Sequence, residues 1–490
     1  IDQLKTFSDD LSSESNRRRV TGNIITIDSE SAKDLDDAVA IKKLDNGNYQ
    51  LGVYIADVSY YVAENTPLDI EAYNRGTSVY LTNYVIPMLP HKLSNDLCSL
   101  NPNIDKLIIG CEIEIDKFGK VVNYDIFEGI MKTKYRMTYT AVNAILAHDN
   151  EVLNEYSDIA QDVLEMGNLA NILTQMRHQR GALDFDIPES KINVDETGIP
   201  ISVELIIRGL GEKLIEEFML IANETVAQAI EHLRLPFIYR VHDEPNSFKL
   251  SKFSDIVKGL GYKLAVRKEK VTQHALQNML EDIKEEDDGL RTLLLRMMAK
   301  AKYSEKNIGH YGLASTSYTH FTSPIRRYPD LIVHRLLRKY LFKHQVLATD
   351  QDEELKKISI IAIQSSKRER DAIECEYEIN DMKMAEYMEN YIGEKYEAKI
   401  SSVTNFGLFA TLKNGIEGLI HISNLDGYYV YDERRMALVS KTNSYRLGDK
   451  LVIKVKNASK ETRQIDFEII EGVKGERRKE GSRKKQKGAS

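Results

Sequence analysis

Cysteine is scarce: three residues in 490, Cys98, Cys111 and Cys375. An odd number without C-x-x-C spacing excludes a disulfide framework and a zinc ribbon, and fits a reducing compartment. Also missing is any apolar run near the roughly 18 residues that a membrane-spanning helix requires. The opening stretch IDQLKTFSDDLSSESNRRRV is polar and lacks the apolar core of a signal peptide. It has no initiator Met, so the expectation is a cytoplasmic chain, shortened at its N-terminus, with no membrane partner. Positive charge is in deficit as well. With 67 Lys/Arg against 75 Asp/Glu, the net charge of −8 does not by itself mark a nucleic-acid binder.

That average conceals a split. Residues 474–490, KGERRKEGSRKKQKGAS, carry a net +6, leaving −14 on the preceding 473 residues. A basic tail punctuated by Gly and Ser reads as disordered and attracted to polyanions, with a plain solubilising tail as the alternative. The 42% hydrophobic residues suffice for a large core and more than one domain.

TGNIITID alternates like a strand, and YQLGVYIADVSYYV (49–62) reads as a longer one. Asn46-Gly47 between them is a turn signal. Helical periodicity appears at 156–180, ending at Gly181, at 211–233 before Pro236, and at 288–303. Helix is also expected after Pro329, and a charged stretch from about 352 to 391 suggests two helices. No regular βαβ repeat is visible, so the expectation is a mixed α+β domain. Near Gly393 the composition turns β-rich for about 75 residues, with glycines at 407, 415 and 418.

Between the first two strands lies TIDSESAKDLDDAV, with Asp28, Glu30, Asp34, Asp36 and Asp37 inside ten positions. Like charges about 4 Å apart repel by roughly 4 kcal/mol at an effective dielectric near 20. A fold that gathers them must neutralise them, raise their pKa values or splay them into water. Asp oxygens are hard ligands for magnesium or manganese, and a metal pair is a known device for phosphodiester cleavage. The gaps of six, two and one do not fit an EF-hand, and D-x-D alone is weak. Three readings stand on chemistry alone: a metal site, a solvated loop, and other carboxylate chemistry.

The segment resembles the signature of the RNB-type catalytic domain shared by ribonuclease II and ribonuclease R. GTSVYLTNYVIPMLP, RGALDFDIPE, KLIEEFMLIAN and FTSPIRRYPDLIVHR follow in the family's order, and the blocks span 21 to about 390. VTNFGLF and GIEGLIHIS resemble the OB-fold RNA-binding domain named after a ribosomal small-subunit protein. Catalytic domain, OB-fold and basic tail in that order are most similar to the ribonuclease R branch, without its two N-terminal cold-shock domains. The resemblance implies a linker at 1–20, a mixed α/β catalytic domain at 21–391, a small all-β OB barrel at 392–471 and a basic tail at 472–490.

It further implies a processive, magnesium-dependent 3′→5′ exoribonuclease, manganese being a possible substitute. Such an enzyme acts, as a monomer, on single-stranded RNA with a free 3′ end, releasing nucleoside 5′-monophosphates and leaving a short oligonucleotide. Asp28 and Asp37 would hold the principal metal with Asp34 in support, and Asp36 would complete a second metal and position water. Arg326 would clamp the scissile phosphate, since its fork matches phosphate oxygens, and Arg327 would contact backbone phosphate. Tyr80 and Phe185 would stack bases at the channel end, where stacking contributes about 1–3 kcal/mol per base. Tyr139 would serve RNA selectivity. A carboxylate of LIEEFM, Glu217 in preference to Glu216, would accept a ribose hydroxyl. Phe406, Phe409 and His421 would face RNA on the OB barrel, a core role for one phenylalanine being the alternative. Asp57 is expected to be structural. A non-catalytic RNA-binding or chaperone protein using the same channel is the competing function. A small-molecule phosphodiesterase leaves the OB-fold and tail unexplained.

Overall fold

The computed structural model describes residues 2–472 apart from 8, 9, 186, 265, 268, 269, 285, 286 and 346–349. The basic tail therefore lies outside the described residues.

The acidic segment is carried by a seven-stranded sheet. Its strands are β1 (Arg18–Arg19), β2 (Ile25–Asp28), β3 (Asp37–Lys43), β4 (Tyr49–Ala56), β5 (Asp105–Ile115), β6 (Val121–Lys132) and β7 (Tyr135–Thr138). The order across the sheet is β1-β6-β5-β4-β3-β2-β7. β3 and β4 form the hairpin expected at Asn46-Gly47, with Gly47 at φ 83°, a conformation glycine adopts without penalty. β4 is apolar almost throughout, as suits a strand covered on both faces; Leu51, Val53 and Ile55 are fully buried. It stops at Ala56, short of the expected residue 62, because Asp57 caps a one-turn helix by accepting the Tyr60 N–H. The expected 1–20 linker also ends early. Arg17 already pairs with Asp57, and β1 runs parallel to β6.

Five helices matter for the site: α1 (Tyr139–Leu146), α2 (Ala160–Arg180), α3 (Leu210–Leu233), α4 (Tyr328–Leu337) and α5 (Gln351–Glu389). α2 ends at Gly181, left-handed at φ 97°. α2 and α3 bury Leu169, Leu173, Phe218 and Val226 in the core they share with the sheet. The helix expected over 288–303 covers only Gly289–Met297, since Met298 is extended and Lys302–Ser304 pairs as a strand with Tyr239–Val241.

α5 corrects the two-helix expectation. It is one helix of 39 residues, with no Gly or Pro to interrupt it, and at about 1.5 Å per residue it extends roughly 58 Å. Its N-terminal half buries Ile358 and Ala362 in the catalytic-domain core, and its C-terminal end buries Ala385 and Met388 in the core of the second domain. That domain is a closed barrel of β8 (Lys395–Val403), β9 (Gly407–Leu412), β10 (Glu417–His421), β11 (Lys450–Ser459) and β12 (Gln464–Gly472). Leu408, Ala410, Ile420, Ile453 and Phe467 fill it. Gly418 is required there, because a Cβ would come within 2.5 Å of the Phe467 ring.

No helix among the described residues is long and apolar enough to cross a membrane. All three cysteines are free, with Cys98 and Cys111 buried.

Candidate active site

Strand register brings the four aspartates together. Asp28 ends β2, which lies between β3 and β7, and Asp37 begins β3. Asp34 and Asp36 occupy the connecting loop. All four line one cavity of about 250 Å³, together with Tyr139, Glu216, Asn223, Arg326 and Arg327. The loop is fixed from outside. Leu35 is buried, the Ser99 hydroxyl accepts its N–H at 3.1 Å and donates to the Lys33 carbonyl at 2.8 Å. Arg136 donates to the carbonyls of Glu30 and Ala32.

Asp36 joins this loop to the arginine turn ahead of α4. One carboxylate oxygen accepts the Ile325 N–H at 2.8 Å, and the other lies 3.6 Å from Arg326 Nε. Asp36 is 3% exposed, and its Oδ2, like that of Asp28, has no hydrogen-bond partner. Leaving such oxygens buried is costly. Burial, followed by the Asp34 charge, pushes the Asp28 pKa up to about 6. Burial and then Asp28 push Asp37 up to about 7. Burial raises Asp36 well above the usual carboxylate range, with Arg326 opposing it.

Hard oxygen donors with orphaned lone pairs fit a divalent cation. Among the described residues no three His, Cys, Asp or Glu side chains are gathered as a ready metal shell; the aspartates share a cavity rather than a point.

The two arginines differ. Arg326 is partly exposed and donates to Ser323 Oγ at 2.9 Å. Arg327 is buried more deeply and pairs at 2.7 Å with Asp330, whose same oxygen accepts the Ser323 N–H. Tyr139 lines the cavity from the start of α1.

Tyr80, 40% exposed, donates its hydroxyl to Asp34 Oδ2 at 3.0 Å. Neither Tyr80 nor Phe185 lines the cavity itself; Phe185 packs half-buried against the cluster containing Phe253 and Leu276. Glu217, preferred from sequence for the ribose contact, does not line the cavity, whereas Glu216 does. Glu217 is 4% exposed, held by Arg177 and by the Thr174 hydroxyl. Glu216, about 100° away around α3, lines the cavity and pairs with Arg208 at 2.8 Å.

On the barrel, Phe409 lies opposite Leu419, and Gly407 opposite His421. These residues share the outer face, while Leu408, Ala410 and Ile420 point inward. Phe406 and Phe409 meet edge to face, 5.9 Å apart. Neither phenylalanine belongs to the barrel core. Asp57 is buried between Arg17 and Arg338. Burial would raise its pKa, but Arg338 and Arg17 outweigh that and hold it at about 2.

Asn223 was not singled out from sequence. It lines the cavity, donates to Tyr318 Oη at 3.1 Å and accepts the Phe321 N–H at 2.8 Å. Its spacing of seven from Glu216, two helical turns on the same face, was the available signal.

Fold and site define a class: a mixed α/β domain around an acidic cavity faced by arginines, joined by one helix to an OB barrel. Residues 17–343 match the RNB domain and residues 390–470 the S1 RNA binding domain, and the chain belongs to the RNB family. Ribonuclease R 1 of Lactococcus lactis is 50% identical over 91% of this chain and 55% of its own length. Ribonuclease R of Thermotoga maritima is 46% identical over 91% and 64%. The chain thus spans between half and two thirds of these relatives. Among solved structures, Mycoplasma genitalium RNase R in complex with ribose methylated single-stranded RNA superposes with a TM-score of 0.89 at 31% identity, covering 96% of this chain and 74% of that one.

Proposed function

We propose that the chain is a magnesium-dependent 3′→5′ exoribonuclease acting on single-stranded RNA and releasing nucleoside 5′-monophosphates. The observation that carries this reading is the juxtaposition in one cavity of four buried or half-buried aspartates, two with orphaned oxygens, and two arginines. A protein that only binds RNA gains nothing from concentrating negative charge where phosphates must pass. Bound there, magnesium would supply an activated water and charge stabilisation at the leaving oxygen.

The residues of the chain supply the rest. Asp28, Asp34, Asp36 and Asp37 are the oxygen donors. Arg326, tethered to Ser323 and only loosely paired with Asp36 at 3.6 Å, keeps a partly exposed fork that can turn to the scissile phosphate. Arg327, held by Asp330, presents a fixed charge deeper in the cavity. Glu216 and Tyr139 face the space a terminal ribose would occupy. On the barrel, Phe406, Phe409 and His421 grip RNA upstream. We propose further that the enzyme is cytoplasmic and acts as a monomer.

End-labelled single-stranded RNA tests the proposal. Stepwise monophosphate release is expected with magnesium and none with EDTA. Degradation undiminished by EDTA, or binding without cleavage in magnesium, would overturn it.

A further inference from the structure

The strap of residues 76–86 touches both sides of the cavity. Its Tyr80 hydroxyl reaches Asp34. Its backbone also holds the arginine turn: the Ser78 N–H and the Thr77 hydroxyl both donate to the Arg326 carbonyl, at 2.9 and 3.0 Å. The Tyr328 N–H donates back to the Gly76 carbonyl at 3.0 Å. One short segment therefore places an aromatic ring and a guanidinium relative to the acidic loop.

A two-stranded hairpin of Val79–Tyr80 and Val85–Ile86 cannot hold itself in place. Its support comes from α5. Glu376 Oε1 accepts the Tyr80 N–H at 2.8 Å, and Asn380 Oδ1 accepts the Thr82 hydroxyl at 3.2 Å. Gly76 lies against Arg368, so closely that a Cβ would sit 2.5 Å from the Arg368 Cβ. Positions 368, 376 and 380 fall eight and four apart, a single stripe along the helix.

We infer that Glu376 is a positioning residue for the reaction. It fixes Tyr80 through its backbone N–H, and so sets where the terminal nucleotide of the RNA stops relative to the aspartates. The inference rests on the proposed exoribonuclease reading. Its charge is not what the role needs. The Tyr80 N–H requires an acceptor of the right length, which a glutamine oxygen also provides.

The test compares Glu376→Ala and Glu376→Gln in the full chain on 5′-labelled poly(A), alone and in a Tyr80→Ala background. Glu376→Ala is expected to lengthen the final product by at least one nucleotide and slow turnover by up to roughly tenfold, the upper range for loss of one hydrogen bond. The KM for RNA and the melting temperature should stay near wild type. Glu376→Gln is expected to restore the wild-type ladder, and Glu376→Ala to add nothing once Tyr80 is gone. A wild-type ladder and rate from Glu376→Ala, or a folded Glu376→Gln as defective as the alanine, overturns the assignment. Should Glu376→Ala fail to fold, Asn380→Ala loosens the same strap, and an unchanged product length there overturns it too. A wild-type protein that releases no monophosphates would overturn the proposed function instead.

Discussion

The acidic cavity and the outer face of the barrel handle polar and aromatic groups in opposite ways. In the cavity Asp28, Asp36 and Asp37 are withdrawn from water until their pKa values rise. On the barrel Phe406, 45% exposed, and its neighbours Phe409 and His421 lie on a surface whose interior is filled by other residues. Under the proposed function the contrast separates two tasks. Chemistry on a phosphodiester needs charges fixed in a desolvated place, where each is strong and none is replaceable. Holding a strand needs many weak contacts in water, where loss of one is tolerated.

The sharpest way to break the comparison is Asp36→Asn. Hydrolysis should fall by roughly 10²–10³-fold or more, while RNA affinity measured by filter binding stays within a few-fold of wild type. A variant that degrades poly(A) at near wild-type rate would remove Asp36 from the chemistry. Phe409→Ala should do the reverse, costing about 1–3 kcal/mol of binding with little change in kcat at saturating RNA. Affinity of the wild type should also drop steeply as salt rises, and a flat salt titration would contradict that role for the barrel. Tyr80→Ala should lengthen the limit product on a sequencing gel; an unaltered ladder would exclude Tyr80 from the terminal clamp.

The smallest effect concerns pH. The folded-state pKa of Asp37, about 7, exceeds that of an unfolded Asp. Its stabilising contribution in the metal-free protein is therefore complete below the unfolded value and lost as pH rises from about 4 through 7. Asp37→Asn should raise the metal-free melting temperature at pH 8 and leave it nearly unchanged near pH 4. An equal shift at both would sever burial of Asp37 from its titration.

Much of this was legible because local chemistry decides it. The Asn-Gly turn, the Gly181 cap and the packing of aspartates between two strands depend on residues a few positions apart. What escaped depends on partners far along the chain. Nothing within LIEEFM says which glutamate turns inward to Arg177, forty positions away. Phe185 has a family-like setting, yet it packs against a cluster that includes Phe253, Leu276 and Leu290, far along the chain. Asn223 earns its place through Tyr318 and Phe321. The charged pattern of 352–391 looked divisible because its buried face is sparse, and only two cores at opposite ends reveal a continuous rod.

That rod gives the molecule a fixed phase. Adding one residue between Glu376 and Ala385 would swing the barrel by about 100° around the helix axis, whereas a whole turn would only push it outward by about 5 Å. The distance and angle between the proposed RNA-holding face of the barrel and the acidic cavity are thus written into the spacing of one uninterrupted helix.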